Sequence, residues 1–131
     1  MVQPPAKPPV VTVRAGEIIH IYVHSANHDK FLICICSTSL KFIAINSDPW
    51  PFDANAQIVV TKAEFNFLTH KSYISVCQPI RLTPIDLNVL NTAKHRRLGH
   101  CSAEMRQRIK KAADQSVTLT GTDRALINKN L

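Results

Sequence analysis

A small, mostly β domain of the α+β class, with helices confined to its C-terminal end, is predicted by three features of this 131-residue sequence. The first is Phe31–Ser47, FLICICSTSLKFIAINS, apolar on both alternating sets of positions and interrupted by the polar link Ser37-Thr38-Ser39. Short runs of β-branched, aromatic and thiol side chains bounded by turn formers fit a buried hairpin. The second is a series of further short runs of this kind, separated by polar turns. The third is a change of pattern after Leu82, where helix caps and helical spacing begin and basic charge accumulates.

The hairpin divides into strands Phe31–Cys36 and Lys41–Asn46. Leu32, Cys34 and Cys36 share one face of the first strand, and Phe31, Ile33 and Ile35 the other. Upstream, Met1–Pro9 holds four prolines in nine residues, an extended tail that cannot enter the middle of a sheet. Val10–Val13 is expected as an edge strand. Gly16-Glu17 turns the chain into strand Ile18–Val23, on which His20 and Tyr22 share a face. The polar loop His24–Lys30 then leads into the hairpin, and a loop held between rigid strands is a good place for binding or chemistry.

Asp48–Ala56, with two prolines, reads as a loop whose Trp50 and Phe52 fold back onto the sheet. The sharper alternative is that these rings stack on unpaired bases. Gln57–Thr61 is the next strand, Glu64–Ser72 a turn that tucks Phe65 and Leu68 inward, and Tyr73–Cys77 and Pro79–Leu82 complete the β part. Thr83-Pro84-Ile85-Asp86 combines a capping threonine, proline at the first helical position and an acid in the first turn, so a short helix to about Leu90 follows. Leu98-Gly99 is expected to break the chain, and Ser102 to cap a helix through Asp114. Met105, Ile109, Ala112 and Ala113 form its apolar stripe, and Arg106, Lys110, Arg108 and Lys111 lie on the remaining surface. A last short helix over 122–128 docks through Leu126 and Ile127.

The net charge of +7 is unevenly spread. Residues 1–93 carry seven Lys/Arg against six Asp/Glu, whereas residues 94–131 carry nine against three. The chain thus divides into a tail (1–14), a β domain (15–93) and a basic helical segment (94–131). The basic segment, with Arg96, Arg97, Arg106 and Lys110 as candidate phosphate contacts, points to an anionic partner, nucleic acid or acidic protein. The bland alternative is a solvated helix face. Only three glycines are present, and no glycine-rich phosphate loop is among them.

No apolar run approaches the ~20 residues of a membrane span, and no signal-peptide core stands at the N-terminus, so a cytoplasmic protein without membrane contact is expected. Cys34, Cys36, Cys77 and Cys101 then read as reduced, buried thiols. Without a CxxC spacing they make a poor zinc set, and neither metal nor cofactor is expected.

Strand, polar loop, hairpin, loop, strands and a C-terminal helix is the order of a small SH3-like barrel. Within that order four places resemble the MazF/PemK (Kid) toxin family. Gly16-Glu17-Ile18-Ile19 resembles the family's opening Gly-Asp-Ile-Val. Lys30-Phe31-Leu32-Ile33 resembles its Arg-Pro-x-Leu-Ile. Ile43-Ala44-Ile45-Asn46-Ser47 resembles the stretch ending in Thr-Ser. Ser72–Val76 through Pro84-Ile85-Asp86 resembles the later strands and the start of a short helix. The likeness covers roughly residues 15–115.

The resemblance implies a metal-independent endoribonuclease acting on single-stranded RNA, a homodimer neutralised by a small acidic antitoxin protein. It also implies attack of an RNA 2′-hydroxyl on the adjacent phosphate, assisted by an arginine at the start of the second strand and a Ser or Thr at the end of the third. Those positions hold Lys30, which keeps the charge without the bidentate fork, and Asn46-Ser47. Phe31 replaces the family's proline, and the link Ser37–Ser39 is shorter than in the family. His28 and His24, in the loop before Lys30, are candidate general acid or base groups, with exposed loop histidines as the bland reading. His70, near Ser72, is expected to fix a loop through a hydrogen bond. A non-catalytic RNA- or protein-binding module on the same β domain is the competing reading.

Overall fold

A computed structural model describes residues 11–131; the proline-rich stretch Met1–Pro9 and the first residue of the expected edge strand lie outside the described residues. Residues 11–14 form no strand. Strands β1 (Glu17–Val23), β2 (His28–Cys36), β3 (Lys41–Asn46), β4 (Gln57–Val60), β5 (Ser72–Ser75), β6 (Ile80–Arg81) and β7 (Arg97–His100) make one antiparallel sheet. Its order is β4-β5-β3-β2-β1-β7, with β6 also pairing β3. The sheet curls into half a barrel and is followed by C-terminal helices, the predicted α+β arrangement.

Both faces of the central hairpin are buried, which is why residues 31–36 and 42–45 are apolar at every position. On one face Ile18, Ile33, Ile35, Ile43, Ile45, Ile58 and Ile74 pack under helices α2 (Ala103–Gln115) and α3 (Gly121–Asn130). The predicted stripe Met105, Ile109, Ala112 and Ala113 is the buried side of α2. On the other face Ile19, Ile21, Leu32, Cys34 and Phe42 are covered by Val13, Leu82, and Leu87 and Leu90 of the short helix α1 (Pro84–Leu87) and the 3₁₀ turn after it. The Thr83/Asp86 capping box starts α1, and the Ser102 hydroxyl accepts from the Met105 amide to start α2.

Three further expectations change. β2 begins at His28, so the polar loop shortens to residues 24–27 and Lys30 stands within a strand. The expected break at Leu98-Gly99 is instead strand β7, which pairs β1 across a bulge between Ile18 and Ile19. Gly99, at φ 115°, supplies the backbone conformation that this irregular ladder requires. Trp50 and Phe52 do not fold back onto the sheet; Phe52 is 64% exposed and Trp50 38%. The loop is held through its backbone and through Asp53 rather than by burying its rings.

Candidate functional site

The pairing of β2 with β3 sets Phe31 opposite Ile45, and β5 lies on the far side of β3 with Tyr73 opposite Asn46. Lys30, Asn46 and Ser75 therefore share the sheet face that α2 and α3 leave open. Lys30 Nζ donates to Asn46 Oδ1 at 2.9 Å, and Asn46 Nδ2 donates to Ser75 Oγ at 2.8 Å. Burial lowers the Lys30 pKa from the ordinary lysine value, and no carboxylate pairs with it among the described residues. Desolvation destabilises the ammonium, so this lysine releases a proton more readily than a surface one.

Ser47 follows β3 directly, and its hydroxyl meets His70 Nε2 at 2.9 Å. The other ring nitrogen of His70 meets the Thr69 hydroxyl at 3.2 Å. Consecutive residues at the end of β3 thus connect to a cation on one side and to an imidazole on the other. The sequence placed His70 near a rim; its link to Ser47 follows only from the β3–β5 register, which brings residues just before β5 alongside residues just after β3.

Of the other two candidate histidines, His24 is held at the α1 end, whereas His28 stands two residues before Lys30 on β2 and so on the same face of that strand. His24 Nε2 lies 3.8 Å from Asp86 Oδ1 at the α1 end, and the Tyr22 ring packs edge-on against it. His28 Nδ1 meets the Asp29 carbonyl at 2.8 Å on exposed strand. His20, on the opposite face, stacks on Phe31 at 4.1 Å; burial pushes its imidazole down, with Arg96 adding to the effect and Asp29 opposing it.

The arginines of the basic segment are largely occupied within the chain. Arg96 donates to the His20 carbonyl at 3.0 Å. Arg97 donates to both oxygens of the buried Glu17 carboxylate, at 3.0 and 2.8 Å, and to the Thr12 carbonyl at 3.0 Å. Arg106 lies over Gly16 and donates to the Ala15 carbonyl at 3.2 Å. Lys110 and Lys111 carry no ion pair among the described residues, and they offer α2's available charge.

Two further features lie elsewhere. A groove of about 500 Å³ between the 37–40 link and α1, lined by Val13, Thr38, Leu40, Ile85 and Leu87, is at the opposite end of the hairpin from Lys30. Beside it, burial pushes the Cys36 thiol up, but hydrogen bonds from Ser39 and Thr38 more than offset this and leave it at about 7. That thiol is 4% exposed, and all four cysteines are free and buried. No three His, Cys, Asp or Glu side chains converge in a metal-holding geometry among the described residues. No described helix is long and apolar enough to cross a membrane.

Comparison with models of known protein families and with curated proteins finds no match to this chain.

Proposed function

We propose that the protein is a metal-independent endoribonuclease that cleaves single-stranded RNA, the toxin of a toxin–antitoxin pair. The observation that carries this reading is that Lys30 and His70 are hydrogen-bonded to consecutive residues, Asn46 and Ser47, at the end of β3.

RNA self-cleavage chemistry needs little more than such a set. His70 Nε2, released from the Ser47 hydroxyl, takes the proton of the 2′-hydroxyl. The 2′-oxygen attacks the adjacent phosphorus, and the bond from phosphorus to the 5′-oxygen breaks. The Lys30 ammonium stabilises the charge of the phosphorane and gives its proton to the departing 5′-oxygen. The products are a 2′,3′-cyclic phosphate and a 5′-hydroxyl. Asn46 Nδ2 and the Ser47 hydroxyl supply neutral donors to the non-bridging oxygens. Burial of Lys30 supports its role as the acid, because a lysine with a lowered pKa is the better proton donor. His70 takes this role before His24 and His28 in this reading because it is hydrogen-bonded to Ser47, the residue that follows Asn46.

In this proposal the active species is a cytoplasmic homodimer, and its neutralising partner is a small acidic antitoxin. Lys110 and Lys111 on α2 suit such a partner. The second reading, a binding module without catalysis, is favoured by the tie of Lys30 to Asn46, which leaves a single-point ammonium where a planar fork would grip phosphate. Incubating the chelator-treated protein with mixed single-stranded RNA separates the two. Discrete fragments, absent with Lys30→Ala, are expected; intact RNA bound by a folded protein selects the binding module.

A further inference from the structure

The exposed rings of Trp50 and Phe52 sit in a loop that the chain takes pains to hold still. Gln57 Oε1 accepts from the Trp50 amide at 2.6 Å, and Gln57 Nε2 donates to the Trp50 and Phe52 carbonyls at 2.7 and 3.2 Å. Asp53, in left-handed backbone (φ 60°), receives the Ser116 and Thr118 hydroxyls, both at 2.6 Å, and the amides of Val117 and Thr118. Ordering a loop costs conformational entropy, and little of that cost is recovered by burying Phe52, which stays 64% exposed.

Gln57 pairs with Ser75 across β4 and β5, and Ser75 accepts from Asn46, which accepts from Lys30. One row of polar side chains therefore runs from Lys30 across β3 and β5 to the residue that holds the aromatic loop, a span of three strand spacings or about 14 Å. Beside this row Tyr73 lies opposite both Asn46 and the exposed Val59, with Lys71 Nζ 5.8 Å above its ring. Two lysines that have no carboxylate partner among the described residues thus border the strip. Of the acids nearby, Asp53 is turned to residues 116–118 and Asp48 lies in the loop itself.

We propose that this strip, from Lys30 to Trp50 and Phe52, is a track for single-stranded RNA, with the two rings stacking on bases that flank the nucleotide held at Lys30. Cations beside fixed, solvent-facing aromatics are the chemistry that binds unpaired bases and their phosphates. A strip of this kind reads a single strand, because paired bases keep their faces buried in the duplex. The proposal rests on the reading of Lys30 as the phosphate-binding residue, and it adds where the rest of the strand runs.

Trp50 is the protein's one tryptophan, so its emission reports on this loop alone. A mixed-sequence octanucleotide with 2′-O-methyl groups, which lacks the attacking hydroxyl, is titrated into the protein. Saturable quenching of Trp50 is expected, with little from the same sequence as a duplex. Phe52→Ala should weaken binding about 5- to 150-fold, the loss of one stacked base worth roughly 1–3 kcal/mol. Far-UV circular dichroism should stay unchanged, since this ring is largely exposed. Binding that leaves Trp50 unquenched, or that Phe52→Ala does not alter, overturns the track. So does a Trp50 emission change that follows protein concentration without RNA, which assigns the strip to a second copy of the chain. Quenching by the blocked strand together with no cleavage of ordinary RNA upholds the track and refutes only the catalytic reading.

Discussion

Asp53→Asn removes a charge and leaves the backbone its conformation, because asparagine also tolerates the left-handed region at φ 60°. Slight burial pushes the Asp53 carboxyl up, but the Ser116 and Thr118 hydroxyls and the Thr118 and Val117 amides outweigh it and hold the group at about 2, against 3.8 ordinarily. That difference corresponds to about 2 kcal/mol at neutral pH. Solvent screening at this surface position reduces it to about 1 kcal/mol. The sign follows from the depressed folded-state value: the contribution is complete above 3.8 and disappears as pH falls toward 2. For a chain of this size about 1 kcal/mol is a fall of about 4 °C in Tm. Thermal unfolding followed by circular dichroism should show that fall for Asp53→Asn at pH 7, and a gap that closes as both proteins are acidified through this window. Equal Tm values at pH 7, or a gap that persists below pH 2, would refute the assignment of the loop's anchor to the Asp53 charge.

Other expectations concern the site and the basic helix. His70→Gln keeps a group able to hydrogen-bond Ser47 but cannot cycle a proton, so kcat for RNA cleavage should fall about 10²–10⁴-fold while RNA affinity changes little; a loss confined to KM would make His70 a positioning residue. If Lys30 is the acid, the basic limb of the kcat–pH profile should lie below the ordinary lysine value of 10.5, because burial lowers it; a limb at or above that value would contradict the role. Lys110→Gln should leave stability within about 0.5 kcal/mol and flatten the salt dependence of RNA binding if α2 touches phosphate. Arg106→Gln should instead lower Tm, since this guanidinium spans Gly16 and the Ala15 carbonyl; an unchanged Tm would show those contacts to be dispensable.

Much of the fold was legible because the physical signals were local. Short apolar runs broken by a polar link over Phe31–Asn46 identified the hairpin, and burial on both faces accounts for apolar residues at consecutive positions. Thr83 and Ser102 announced their helices through capping chemistry that depends on a few neighbouring residues. Strand β7 carried no such signal: Arg97, Leu98, Gly99 and His100 neither alternate nor run apolar, and the strand exists because Glu17 and β1 supply its partners. The site was legible in half. Lys30, Asn46 and Ser47 bordered the apolar runs of the hairpin, whereas His70 and Ser75 joined them only through the register of β3 with β5, which no local pattern encodes. The arginines show the reverse limit. Charge counting located an excess of cations correctly in residues 94–131, but it could not tell the guanidiniums tied to backbone carbonyls and Glu17 from the amines left in solvent.

The central claim is that Lys30 and His70 act on a phosphodiester, and the ends of the RNA fragments test it most directly. Single-stranded RNA incubated with the chelator-treated protein should yield fragments bearing 2′,3′-cyclic phosphate and 5′-hydroxyl ends, with none from folded Lys30→Ala protein. Fragments with 3′-hydroxyl and 5′-phosphate ends, or undiminished cleavage by Lys30→Ala, would contradict it.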